Sequence, residues 1–165
     1  MNIFSGRDRA KEKKIEEVLL QNYDSYYRLA YSYVQNEADA GDIVQNGAYR
    51  AIRGSHTLEK TEYAATWVYR IMLNEIFRFC KVRNKNLVSL EEMPIEQGKE
   101  DVYKDVDLHR AINMLSSEDK AVVQLRFFED KKLEDIAKIL GENVSTVKSR
   151  LYRSMKKLRL ELEES

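Results

Sequence analysis

The chain has 165 residues, 43% of them hydrophobic and 34% charged, and its 28 cationic and 28 anionic side chains cancel to a formal net charge of zero. That length holds one ordinary domain or two small ones, and the balance excludes a protein coated in positive charge, so any affinity for nucleic acid must come from local segregation. Residues 1–85 carry 14 cations and 11 anions, residues 86–119 carry 3 and 9, and residues 120–165 carry 11 and 8, so two mildly basic lobes flank an acidic middle.

A single cysteine, Cys80, cannot form an internal disulfide, and no CxxC or Cys/His cluster is spaced to hold zinc. His56 and His109 have no serine, cysteine or carboxylate pair at a telling interval, and GxxxxGK, HExxH and GxSxG patterns are absent. A non-enzyme without metal or cofactor is expected. The amino terminus is charged, and no run approaches the roughly 20 apolar residues of a membrane span, so the expectation is a cytoplasmic protein with no direct membrane insertion.

Glycine is scarce and Pro94 is the only proline, which with the lack of strand-like alternation predicts an all-α fold. A first amphipathic helix is predicted from about Lys13 to Gln35 through Ile15, Val18, Leu19, Tyr23, Tyr26, Ala30, Tyr33 and Val34. Most of its tyrosines read as packing. A second runs from about Glu37 to Arg53 through Ile43, Val44, Ala48, Ala51 and Ile52, and a third from about Tyr63 to Arg83 through Trp67, Ile71, Met72, Ile76 and Phe79. From Asn84 to about Asp105 the period fades, Pro94 and Gly98 enter and acidic residues dominate, which reads as a flexible acidic linker. Val106 to Leu115 then makes a helix, and Ser116 or Ser117 can cap another reaching about Phe128.

The most informative stretch is Leu133 to Arg159. Ile136, Ala137 and Leu140 recur at helical spacing, Gly141 interrupts, Ser145 can cap a second helix, and Val147, Leu151 and Leu158 resume the period. This is a helix-turn-helix pattern, with Gly141 suited to the tight connection. Between Val144 and Arg159 lie six cations and no carboxylate, a face that suits phosphate. The second helix of such a motif enters the major groove, and Thr146, Lys148, Ser149, Arg150, Tyr152 and Arg153 are its candidate readers.

Three segments in this order resemble the extracytoplasmic-function (ECF) sigma factors of bacterial RNA polymerase, in the sigma-70 family. DIVQNGAYRAIR (Asp42 to Arg53) resembles the polymerase-binding segment, TWVYRIMLNEIFRF (Thr66 to Phe79) the segment that opens and reads the minus-10 element, and the Ser116–Arg159 block with TVKSRLYRS the module that reads minus-35. The resemblance implies two small helical domains joined by the acidic linker, the second a helix-turn-helix four-helix domain. Residues 1–85 would be region 2, 86–105 the linker and 106–165 region 4.

For minus-35 the resemblance adds Arg126 as a phosphate grip, and Arg153→Ala is expected to weaken promoter binding in a base-dependent way by about 1–3 kcal/mol. Tyr63, Tyr69, Arg70, Asn74, Arg78 and Lys81 are the minus-10 candidates, with the His56–Glu62 loop as pocket wall for a flipped base and Trp67 as core. Asp39, Asp42, Gln45, Asn46 and Arg50 form the stripe that would dock on core polymerase. The family usually has a carboxylate at Asn46 and bulkier apolar residues at Gly47 and Ala48, and a helical glycine costs up to about 1 kcal/mol relative to alanine. The implied partners are core RNA polymerase, promoter DNA and an anti-sigma factor, commonly membrane-anchored, that restrains a factor monomeric when free.

Overall fold

The computed structural model describes residues 6–86 and 100–164. Among them every regular element is helical, and the chain divides into two compact units, Met1–Asn84 and Lys85–Ser165.

In the first unit α1 spans Gly6–Val34, beginning seven residues before the position that apolar spacing suggested. Its buried residues Ile15, Val18, Tyr26, Leu29, Ala30 and Val34 fall at helical spacing and form one stripe against the rest of the unit. The helix stops where Gln35 turns left-handed at φ 54°, and Asn36 starts α2 (Glu37–Arg53) by accepting the Asp39 N–H at 2.9 Å on its side-chain oxygen. Gly47, whose helix interior looked weak, faces α3. A Cβ there would collide with the Met72 thioether, so the missing side chain is what lets the two helices close.

The expected His56–Glu62 loop is two 3-10 turns, Ser55–Thr57 and Thr61–Tyr63, with buried Leu58 between them. Then α3 (Ala64–Asn86) places Ala64, Val68, Tyr69, Met72, Leu73 and Ile76 in the core. Trp67 is half-buried, its ring within 3.9 Å of the place where a Gly54 Cβ would sit. Near the far end the Arg83 guanidinium donates to the Val34 carbonyl at 3.0 Å, tying α3 to the close of α1.

In the second unit α4 spans Glu100–Asn113, so the helix expected from Val106 begins earlier, inside the stretch read as linker. The linker signals Glu91, Glu92, Pro94, Glu96 and Gly98 lie outside the described residues. Ser116 caps α5 (Ser117–Val123) by accepting the Asp119 N–H at 3.2 Å. The helix then widens to a π-helical turn over Gln124–Phe128, where the Glu129 N–H reaches back to the Gln124 carbonyl at 3.1 Å. Next come α6 (Leu133–Leu140), Gly141 at φ 68° and α7 (Val144–Glu164). Only glycine takes that left-handed conformation freely, which explains its place at the stop of α6. Because α7 begins at Val144, with the Asn143 carbonyl accepting the Val147 N–H at 3.1 Å, Ser145 lies in the first turn and is not the cap. α7 packs on α4, α5 and α6, and Ala111, Ile112, Leu115, Val123 and Leu158 form one core cluster with Leu108 against it.

Candidate nucleic-acid interface

The turns of α7 fix which side chains face outward. Val147, Ser154 and Leu158 are buried and Leu151 is half-buried, so the opposite side presents Ser145, Thr146, Lys148, Ser149, Tyr152 and Lys156. Tyr152 is 75% exposed. An exposed ring flanked by hydroxyls and ammonium groups at the start of a second helix can meet base edges, while the lysines further along suit phosphate.

The arginines of the same helix behave differently. Arg150 Nε and Nη2 grip Glu142, in the turn before α7, at 2.9 and 3.0 Å, and its Nη1 donates to Asp119 on α5 at 3.0 Å. Arg153 Nη2 reaches both Asp119 oxygens, at 3.0 and 3.2 Å. The Asp119 side chain is 3% exposed, against 24% for Arg150 and 53% for Arg153. Burial alone would raise the Asp119 carboxyl, but the guanidinium groups of Arg150 and Arg153 outweigh it and hold the group below its usual range. Glu142 first, and Asp119 next, push Arg150 further up, so it is a permanent cation. Arg150 and Arg153 thus tie α7 to the body of its own unit, while the Arg153 side chain stays half exposed. Arg126 sits exposed in the π-helical turn and donates to the Lys131 carbonyl at 3.3 Å; exposed Phe127 and Phe128 follow it, which no sequence signal singled out.

On α3 the exposed residues Arg70, Asn74, Arg78 and Lys81 follow at intervals of four, four and three, and so share one stripe. Tyr63 is exposed at the entrance to the helix, under the Lys60 ammonium at 6.0 Å from its ring centre. Tyr69 does not join them. It is 1% exposed, its hydroxyl is hydrogen-bonded to Ser25, and its ring meets Tyr26 edge-on at 4.8 Å, so it belongs to the core and cannot stack on a base.

On α2, Asp42, Gln45, Asn46 and Arg50 are exposed and Asp39 is half-buried, all along one side. Arg50 bends toward α3, where its Nε lies 2.5 Å from buried Glu75, which also takes Arg78 at 3.4 Å. Asn46, Tyr49, Arg50, Arg53, Glu75 and Arg78 line an open depression between the two helices. The α1 tyrosines divide in a way their spacing hid. Tyr26 is core, whereas Tyr23, Tyr27 and Tyr31 stack on one another at 6.5 and 6.3 Å along the outside, with Tyr23 and Tyr31 exposed.

No group of three or more His, Cys, Asp or Glu side chains is gathered as metal ligands would be, and no helix is long and apolar enough to cross a membrane, both among the described residues.

Residues 19–86 match the family described as "Sigma-70 region 2", and residues 105–158 that described as "Sigma-70, region 4". The chain is 41% identical over 160 residues to the RNA polymerase sigma factor SigV of Bacillus subtilis, covering 92% of this chain and 96% of the relative. It is 30% identical over 157 residues to the RNA polymerase sigma-E factor of Streptomyces coelicolor, covering 90% and 86%. Its fold is similar to that of the sigma factor RpoE solved in complex with the anti-sigma factor NepR from Bartonella quintana, with a TM-score of 0.69 at 24% identity over 92% of this chain and 98% of that one. It is similar also to CnrH, solved with the cytosolic domain of CnrY, with a TM-score of 0.71 at 17% identity over 92% and 88%. Two helical units with these outward faces, matched in order to both regions, mark the chain as a member of the sigma-70 family, an RNA polymerase sigma factor of the ECF type.

Proposed function

We propose that residues 1–85 carry core polymerase binding together with minus-10 recognition and melting, and that residues 106–165, joined through 86–105, read the minus-35 duplex. A factor of this type directs core polymerase to a specific set of promoters and leaves the chemistry to the larger enzyme. It has no catalytic residue of its own in this reading, and it acts in the cytoplasm. The observation that carries the reading is the exposed face of α7, where Thr146, Lys148, Ser149 and Tyr152 can approach base edges while Lys156 lies along the phosphates. Arg126, exposed in the π-helical turn before α6, adds a phosphate contact.

For the minus-10 element the stripe Arg70, Asn74, Arg78 and Lys81, with Tyr63 at its head, supplies an aromatic ring for an unstacked base and cations for its backbone. Asp39, Asp42, Gln45, Asn46 and Arg50 make the polymerase face. The known complexes of RpoE with NepR and of CnrH with CnrY support restraint of this chain, a monomer when free, by an anti-sigma factor. CnrH was solved with the cytosolic domain of CnrY, which fits a membrane-anchored partner.

Unaided, the chain holds duplex weakly and largely through salt-dependent phosphate contacts. A gel-shift experiment on promoter fragments tests this directly: a firm complex is expected only when purified core polymerase is present. A firm, sequence-selective shift by the chain alone would instead identify a self-sufficient helix-turn-helix regulator.

A further inference from the structure

Six cations lie on α7 between Val144 and Arg159, and two of them are spent inside the unit. Arg150 and Arg153 stand three positions apart, on the flank of α7 that meets α5, and both donate to a single carboxylate, Asp119, 31 and 34 positions earlier in the chain. A carboxylate with a side chain 3% exposed has little water to lean on, so its two guanidinium partners are what make its charge tolerable. Pulling Arg153 away to a phosphate would leave Asp119 with Arg150 alone, and Arg150 is already shared with Glu142.

We propose that Asp119 is a specificity-determining positioning residue: it withholds Arg150 and Arg153 from the DNA backbone, so that α7 discriminates among duplexes with Lys148, Ser149 and Tyr152 against a lowered electrostatic background. The physical basis is that phosphate contacts supply sequence-independent affinity, whereas base contacts supply selectivity. Each guanidinium held by Asp119 is one cation fewer for the sequence-independent phosphate contacts. The same clamp fixes the rotation of α7 about its own axis, since Glu142 and Asp119 hold Arg150 from two sides. This rests on the reading of α7 as a duplex-binding face.

The test is fluorescence anisotropy of the full chain on a mixed-sequence duplex of about 30 base pairs, titrated between about 50 and 200 mM KCl. Three variants are compared with the parent: Asp119→Asn, Arg153→Gln, and the two combined. Asp119→Asn is expected to tighten binding to this unselected duplex and to steepen the salt dependence by about 0.9 in log K per log salt for each guanidinium released. Adding Arg153→Gln should return the slope toward the parent value, while Arg153→Gln alone should leave it unchanged. If Arg153→Gln alone flattens the slope by the same amount, Arg153 already touches phosphate and the inference is overturned; that arm decides even if Asp119→Asn fails to fold by circular dichroism. A folded Asp119→Asn variant with the parent slope overturns it equally. A parent chain that shows no binding at the lowest salt removes the duplex-binding reading of α7 itself.

Discussion

Arg50 on α2 and Glu75 on α3 form an ion pair, with Nε 2.5 Å from Oε1, in which the arginine side chain is half exposed and the glutamate is 9% exposed. The pair joins the proposed polymerase face of α2 to the stripe on α3, because Arg78 leans on the same carboxylate at 3.4 Å. Removing the buried member leaves Arg50 without its anchor, and truncating it to alanine also opens a gap. Glu75→Ala is therefore expected to lower the stability of the first unit by about 1–3 kcal/mol, and Arg78→Ala, an exposed partner, by about 0–1 kcal/mol. Trp67, the single tryptophan, lies in this unit, so its fluorescence during urea unfolding reports that unit alone. Equal midpoints for parent and Glu75→Ala would refute the anchoring role.

Gly47 lies against Met72, so a larger residue must displace a fully buried side chain. Gly47→Leu is expected to cost about 1–3 kcal/mol by overpacking. Coupling it to Met72→Ala should recover part of that loss, since the two changes share one space. Strictly additive losses in urea unfolding followed through Trp67 would show that the two positions do not compete.

The Asp119 clamp gives the second unit an acid dependence of defined sign. The folded carboxyl sits below its ordinary value of 3.8, so its contribution is complete above that value and is lost as pH falls below it through the lower folded value. Thermal unfolding followed by circular dichroism should show the second unit weakening below about pH 4 in the parent. In Asp119→Asn this component of the acid dependence should be absent. A parent and a variant with parallel acid profiles would contradict the assignment.

On α3, Asn74→Ala and Arg70→Ala should each weaken retention of the open strand by about 1–3 kcal/mol while leaving assembly with core polymerase intact. Permanganate reactivity of unpaired thymines in the minus-10 region reads opening, and native gel electrophoresis of the polymerase complex reads assembly. Loss of assembly by either variant would move this stripe out of the DNA interface. Tyr69→Phe, by contrast, should act through stability, because its hydroxyl bonds Ser25 inside the core.

Residues close together in sequence were legible, and residues that answer to distant ones were not. The helix-turn-helix could be read because Ile136, Ala137 and Gly141 report on their own backbone, and the structure places Gly141 in the left-handed turn that its position suggested. Arg150 and Arg153 looked like free cations because their partner Asp119 lies 31 and 34 positions away, on another helix. Tyr69 and Arg70 are neighbours in sequence, yet one helical step of 100° separates a core ring from a surface cation. Tyr23, Tyr27 and Tyr31 stack along the outside of α1, and an amphipathic pattern cannot say whether an aromatic stripe meets its own core or the outside. The π-helical turn carrying Arg126 leaves no trace in apolar spacing.

The most direct measurement is run-off transcription from genomic fragments with purified core polymerase, with and without the chain. The expected result is a set of discrete transcripts that appear only with the chain, whose starts share a minus-10 and a minus-35 element, and whose dependence on the minus-35 element is lost when Lys148 and Tyr152 are both replaced by alanine. Transcripts identical to those of core polymerase alone would contradict the assignment of promoter selection to this protein.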